Sequence, residues 1–188
     1  MEVEYIDECH TYLCDGVIIP SVSDLLKFKF PKKYDGIPEY ILSTKADFGT
    51  AIHKAIEDYE RGEEPTLTPL QKVTFGQYLK LKDAFVINPV EIELMIVDEQ
   101  GRYAGRLDMI ADVNYRRCLI DIKTTAKVDE YMLSWQLGLY KLGYKKPIEH
   151  CYVLWLPKKD LGQLIEILPK SKKECEELIE EYYRWRNR

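Results

Sequence analysis

At 188 residues the chain has the length of one ordinary domain and enough material for a sizeable core. A hydrophobic share of 46% beside a charged share of 31% excludes the disordered and fibrous classes. With 27 Lys plus Arg against 32 Asp plus Glu, the net charge of -5 removes bulk attraction to a polyanion, so nucleic acid would need a local basic patch.

No apolar run approaches the roughly 20 residues that cross a bilayer, and Met1-Glu2-Val3-Glu4 lacks the basic head of a signal peptide. The expectation is a cytoplasmic protein with no membrane partner. The five cysteines (Cys9, Cys14, Cys118, Cys151, Cys175) include no Cys-x-x-Cys, which suggests neither a disulfide framework nor a zinc ribbon. The chain carries no internal repeat and no Gly/Ser linker, so residues 1–188 are read as a single domain.

In chain order, Tyr12-Leu13-Cys14 and Val17-Ile18-Ile19 flank Asp15-Gly16, a dipeptide suited to a tight hairpin turn, which predicts an N-terminal β-hairpin. Ser21 or Ser23 then caps a short helix through Leu25 and Leu26, and Pro31 stops it. From Ala46 to Tyr59, Phe48, Ile52, Ala55, Ile56 and Tyr59 fall at helical spacing, with Arg61-Gly62 as the stop. Thr68-Pro69 opens a second helix, Leu70 to Phe85, closed by Asn88-Pro89.

The period then changes to two. Val90 to Leu94, Arg102 to Val113 and Cys118 to Thr124 read as an antiparallel meander, with a turn at Gln100-Gly101. Val128 to Tyr144 is helical and apolar on most sides, which predicts burial. Cys151 to Leu156 and Leu164 to Leu168 are strands, and Ser171 caps a final helix striped by Cys175, Leu178, Ile179, Tyr182 and Tyr183. The class is α/β, with a core order of α-β-β-β-α-β.

The chemistry concentrates in Gly105-Arg106-Leu107-Asp108 and Asp121-Ile122-Lys123. Strand alternation puts Asp121 and Lys123 on one face and Ile122 on the other. A turn on Asn114-Tyr115 without a bulge sets Asp108 opposite Asp121, with Cβ atoms roughly 4.5–5.5 Å apart. Two carboxylates so close repel unless one is protonated or a cation lies between them. With backbone carbonyls they form an oxygen-rich site suited to Mg²⁺ or Mn²⁺. An ammonium at Lys123 could act on water or on phosphate charge beside it, although the same triplet also describes a surface ion-pair cluster.

Further along, His53 lies at the edge of its helix's apolar stripe with Glu57 one turn on, so its imidazole could ligate a metal or hydrogen-bond Glu57. Gln136 and Tyr140, one turn apart on the buried helix, combine an amide with a phenol, which suits either contact with nucleic acid or core packing. Glu91 and Glu93 share a face of the first meander strand, where one could be an extra ligand. Lys27, Lys29, Lys32 and Lys33 form a candidate basic strip or a solvated face.

Taken in order, His53, Gly105-x-x-Asp108, Asp121-x-Lys123 and Gln136-x-x-x-Tyr140 resemble the PD-(D/E)xK nuclease superfamily, specifically its RecB-like exonuclease branch with phage-encoded members. The resemblance runs from Gly49 to Tyr144. It implies a restriction-endonuclease-like fold, a mixed sheet flanked by helices, and metal-dependent hydrolysis of DNA. It further implies that His53, Asp108, Asp121 and the Ile122 carbonyl hold Mg²⁺ or Mn²⁺, that Lys123 is catalytic with Asp108 and Asp121, and that Gln136 and Tyr140 contact DNA. Some relatives hold an iron-sulfur cluster through one cysteine before the histidine and three clustered near the C-terminus. Here only Cys151 and Cys175 follow Tyr140, far apart, so no cluster is expected. A nickase or other structure-specific endonuclease of the same fold, and a DNA-binding module without turnover, are the alternatives. A phage setting would supply a single-strand annealing or recombination protein as partner.

Overall fold

The computed structural model describes residues 2–6, 11–33 and 35–188; Cys9 lies outside them. Strands β1 (Val3–Ile6), β2 (Thr11–Cys14) and β3 (Val17–Ile19) form an antiparallel sheet in that order. The β2–β3 turn is the expected one, because Asp15 and Gly16 both take positive φ (48° and 77°), the backbone hand that matches strand twist. β1 extends the expected hairpin to three strands, with Val3 and Tyr5 packing against Tyr12, Cys14, Ile19 and Ala104.

Ser21 caps α1 (Val22–Lys29) through a reciprocal box with Asp24, and the helix ends at Phe30, before Pro31. Helix α2 runs Glu39–Glu60, so it begins before Ala46. Its early turns carry no buried residue, so they lack the apolar stripe that marks a helix in sequence. α3 (Pro69–Ala84) starts on a Thr68/Gln71 capping box with Pro at its first position.

Five strands then make one mixed sheet in the order β4-β5-β6-β7-β8: β4 Ile87–Val97, β5 Ala104–Val113, β6 Arg116–Lys123, β7 His150–Trp155 and β8 Gln163–Glu166. β4 is longer than the alternation of Val90 to Leu94 predicts. Asn88-Pro89 lies inside it instead of closing α3, next to a register shift between Pro89 and Glu91. β4 is an edge strand, where a missing N–H costs no ladder bond. Helix α4 (Glu130–Tyr144) crosses over so that β7 joins β6 in parallel, and β8 returns antiparallel. α5 (Lys172–Arg186) closes the chain on the Ser171/Glu174 capping box.

The sheet divides two apolar layers. Val22, Leu25, Leu107, Leu119, Leu137, Val153 and Leu178 pack with α1, α4 and α5. Ile52, Ile56, Tyr78, Met109, Ile120, Ile122 and Leu154 pack with α2 and α3. Leu119 and Ile120 go to opposite layers, so alternation turns Asp121 and Lys123 toward the α4 side and Ile122 toward α2. The chain is thus a mixed α/β protein. No helix among the described residues is long and apolar enough to cross a membrane.

Candidate metal centre

The β5–β6 hairpin turns on Asn114 and Tyr115, both at positive φ (47° and 68°), and its ladder runs from Val113↔Arg116 to Met109↔Ile120. One more step along each strand reaches Asp108 and Asp121, beyond the last ladder pair. There the ladder gives way to a side chain: Asp108 Oδ2 accepts the Ile122 N–H at 2.6 Å. On the other flank, Ile92↔Met109 and Leu94↔Leu107 leave Glu93 opposite Asp108.

Glu93 has a left-handed backbone, φ 51°. Ile92 packs with the α2 layer and Leu94 with the α4 layer, although regular alternation would keep both on one face. The faces exchange there on β4 and, opposite it on β5, at Asp108, where Leu107 and Met109 also go to different layers; Glu93 and Asp108 both come to face His53. A side chain at such a φ costs about 1–2 kcal/mol, and such residues gather at functional sites.

His53 reaches this point from α2. Its Nε2 lies 3.1 Å from the Ile122 carbonyl oxygen, which can only accept, so Nε2 carries the hydrogen. Its Nδ1 faces Asp108 Oδ1 at 3.5 Å and Glu93 Oε1 at 3.6 Å. One donor atom each of His53, Glu93 and Asp108 lies within 4.8 Å of the others. Burial opposes a charged imidazole here, but the Asp108 carboxylate, aided by Glu93, outweighs it and pushes the pKa up to about 10.

Asp108 and Asp121 titrate as a split pair. Burial disfavours the Asp108 anion, yet His53, Lys123 and the Ile122 N–H hold its pKa below the usual carboxylate range. Asp121, with its side chain 1% exposed, goes the other way: burial first, then the Asp108 charge, raise it to about 6 against the pull of Lys123. Lys123 Nζ makes an ion contact with Asp121 Oδ2 at 2.6 Å, while Oδ1 is buried and accepts no hydrogen bond from any described residue. Behind them, Tyr140 is buried on α4 and accepts a long 3.4 Å hydrogen bond from Gln136 Nε2. Burial, then the Asp108 and Asp121 charges, lift its phenol well above the ordinary value.

His53, Glu57, Glu93, Arg106, Ile122 and Lys123 line a cleft of about 820 Å³. A smaller one of about 270 Å³ joins Lys123 to Gln136, Ser23, Lys27 and Lys33. The structure brings His53, Glu93 and Asp108 into one cluster and sets Lys123 on Asp121, and two expectations are corrected. Glu57 does not hydrogen-bond His53; it pairs with Arg61 at 2.7 Å and Lys54 at 3.4 Å on its own helix. Glu91 does not join the centre, because the face reversal at Glu93 separates the two glutamates and Glu91 binds Tyr144 Oη (3.1 Å) and Lys146 (2.9 Å). Of the candidate basic strip, Lys33 meets Asp129 (2.5 Å), Lys27 meets Asp24 (3.6 Å) and Lys29 lies over the Trp135 ring (4.6 Å), while Lys27 and Lys33 also line the smaller cleft. Arg106, 4.0 Å from Glu93 Oε2, also belongs to the site, and no sequence signal marks it.

No protein-family model and no curated protein matches the chain. Among solved structures, the crystal structure of SSO0001 superposes with a TM-score of 0.52 at 18% identity, covering 90% of this chain and 76% of that one. At that identity the likeness concerns the fold alone.

Proposed function

We propose that this chain is a divalent-metal-dependent deoxyribonuclease with a restriction-endonuclease-like core, acting on DNA ends as an exonuclease. The observation that carries the reading is the convergence of His53, Glu93 and Asp108 beside the Asp121–Lys123 pair, at a cleft that His53, Glu93 and Lys123 line. The element order α3-β4-β5-β6-α4-β7 supports it, being the α-β-β-β-α-β order expected from the sequence. The donor set fits Mg²⁺ or Mn²⁺: carboxylate oxygens dominate, one imidazole nitrogen is added, and the buried Asp121 Oδ1 lacks a hydrogen-bond partner among the described residues.

When bound, such an ion would supply Lewis-acid chemistry toward a phosphodiester and a water. His53 Nδ1, Glu93, Asp108 and Asp121 would hold it. The Ile122 carbonyl fixes the tautomer and tilt of His53, and the Ile122 N–H fixes Asp108, so one backbone unit orients two ligands. Lys123 keeps a positive charge beside the carboxylates, where it can donate to a phosphate oxygen or orient water for attack. Gln136, lining the cleft with Lys123, Lys27 and Lys33, is suited to the sugar-phosphate backbone.

Time-resolved digestion of end-labelled linear duplex and single strands with Mg²⁺, Mn²⁺ or EDTA tests this. The reading expects metal-dependent release of nucleotides from ends, with covalently closed circles intact. Cleaved circles would favour an endonuclease of the same chemistry, and no cleavage of any DNA would favour a binding module. The phage-like resemblance makes a single-strand annealing or recombination protein the partner to test.

A further inference from the structure

Helix α5 lines neither cleft of the metal centre, and its buried residues Cys175, Leu178 and Ile179 pack into the layer it shares with α1 and α4. Its outer face carries charge in a definite order. Successive residues of an α-helix turn by about 100°, so Glu177, Glu181 and Arg184 fall within about 60° of arc on the side away from that layer, and all three are exposed. Arg188, just past the helix end, continues the row, and its N–H still donates to the Trp185 carbonyl at 3.3 Å. The row reads acid, acid, base, base.

Inside one chain this order is unfavourable. Like charges one turn apart repel, and Glu177–Glu181 and Arg184–Arg188 are both such pairs. The helix dipole favours acids in the first turn and bases in the last, but it fades within a turn, and Glu181 stands nearer the negative, C-terminal end. Glu177 pairs with Lys173 at 3.9 Å, while Glu181, Arg184 and Arg188 form no ion pair among the described residues. Beside the row, the Trp185 ring packs on Phe28 (5.3 Å between centroids) and Tyr182 (5.7 Å), yet remains 56% exposed. Aromatic and arginine side chains are the types enriched where proteins meet.

We propose that two copies of this chain pair through antiparallel α5 helices, about a twofold axis between Tyr182 and Tyr183. That axis sets Glu181 opposite the second copy's Arg184 and Glu177 opposite its Arg188, each contact made twice by symmetry. Every like-charge pair then meets its opposite, and the two Trp185 rings fall on the same rim of the contact. A polyanion would be repelled by the glutamates, and a polycation by the arginines; the same row reversed complements both halves. A contact about one helix long is small beside obligate dimers, so the pairing is weak and concentration-dependent. It leaves the clefts of both copies open and does not rest on the nuclease reading.

The test is sedimentation velocity of the full chain with two charge-set variants. Glu177→Arg/Glu181→Arg makes the row all basic, and Arg184→Glu/Arg188→Glu makes it all acidic. In about 50 mM NaCl the wild type is expected to pass from monomer to dimer between about 1 and about 200 µM, with a dissociation constant at least about tenfold higher in about 0.5 M NaCl. Each variant alone should stay monomeric, and an equimolar mixture of the two should form a heterodimer. Circular dichroism checks the fold; if either variant unfolds, Glu181→Gln and Arg184→Gln, each expected to weaken wild-type pairing about fivefold or more, decide the matter. A wild type monomeric throughout overturns the proposal and leaves the row to solvent or to another partner. A dimer that the variants retain, a larger assembly, or charge-set variants that stay monomeric when mixed overturns it as well.

Discussion

Asp121→Asn replaces a carboxylate that is 1% exposed, keeps nearly the same shape and removes the charge. In the metal-free protein the folded-state pKa of Asp121 is raised from 3.8 to about 6, by burial and then by Asp108. A raised carboxyl binds its proton more tightly when folded, so it costs nothing below about pH 4 and its cost grows as pH climbs toward the folded value. Two pKa units correspond to about 3 kcal/mol, fully present above about pH 7. The attraction of Lys123 is already contained in that value, since it opposes the rise. The variant is therefore expected to be more stable than wild type by about 3 kcal/mol at pH 8, with the gain vanishing by about pH 4. Urea unfolding in EDTA across that range measures it. Mn²⁺ should then stabilise wild type far more than the variant, because only wild type offers the full ligand set. A variant no more stable than wild type at pH 8, or a gain independent of pH, would refute the electrostatic account of the centre.

Three further outcomes are expected. His53, held up at about 10 in the metal-free protein by Asp108 and Glu93 against burial, must release its Nδ1 proton to bind a metal. Titration calorimetry at about pH 7.5 should thus show enthalpies that differ between phosphate and Tris by about one proton's ionisation heat, and affinity that rises with pH; buffer-independent enthalpies would contradict this. Gly105→Ala should destabilise by about 1–3 kcal/mol through the collision with Val22 and Tyr140, and an unchanged unfolding midpoint would show that those side chains can yield. Glu93→Gly should leave metal-free stability at or above wild type by relieving a left-handed side chain, while Mn²⁺ affinity falls about tenfold or more. Full Mn²⁺ affinity in that variant would remove Glu93 from the ligand set.

Local signals made much of the fold legible in sequence. The Asp15-Gly16 turn, the caps at Ser21, Thr68 and Ser171, and the Gly62 stop each act within three or four residues, and each is found. The period of two along β6 is enough to set Asp121 beside Lys123, and counting back from Asn114-Tyr115 gives the observed register as far as Met109↔Ile120, one step short of Asp108 and Asp121. What stayed hidden depends on context. The early turns of α2 are exposed and carry no stripe, and Pro89 is tolerated only because β4 is an edge. Glu93 joins the centre through a backbone φ that no side-chain pattern announces, and the same reversal sends Glu91 away. His53 was legible as a helix-edge imidazole, but its tautomer is fixed by a carbonyl 69 residues away. The Glu57–Arg61 pair follows the simple one-turn rule and could have been weighed against a Glu57–His53 bond.

Anomalous diffraction from crystals equilibrated with Mn²⁺ tests the central claim most directly. The account expects one strong peak within coordination distance, about 2.0–2.3 Å, of His53 Nδ1 and of carboxylate oxygens from Glu93 and Asp108, with Asp121 drawn in and Lys123 beside it. A folded protein with no peak at that point, or with manganese bound only elsewhere, would contradict it.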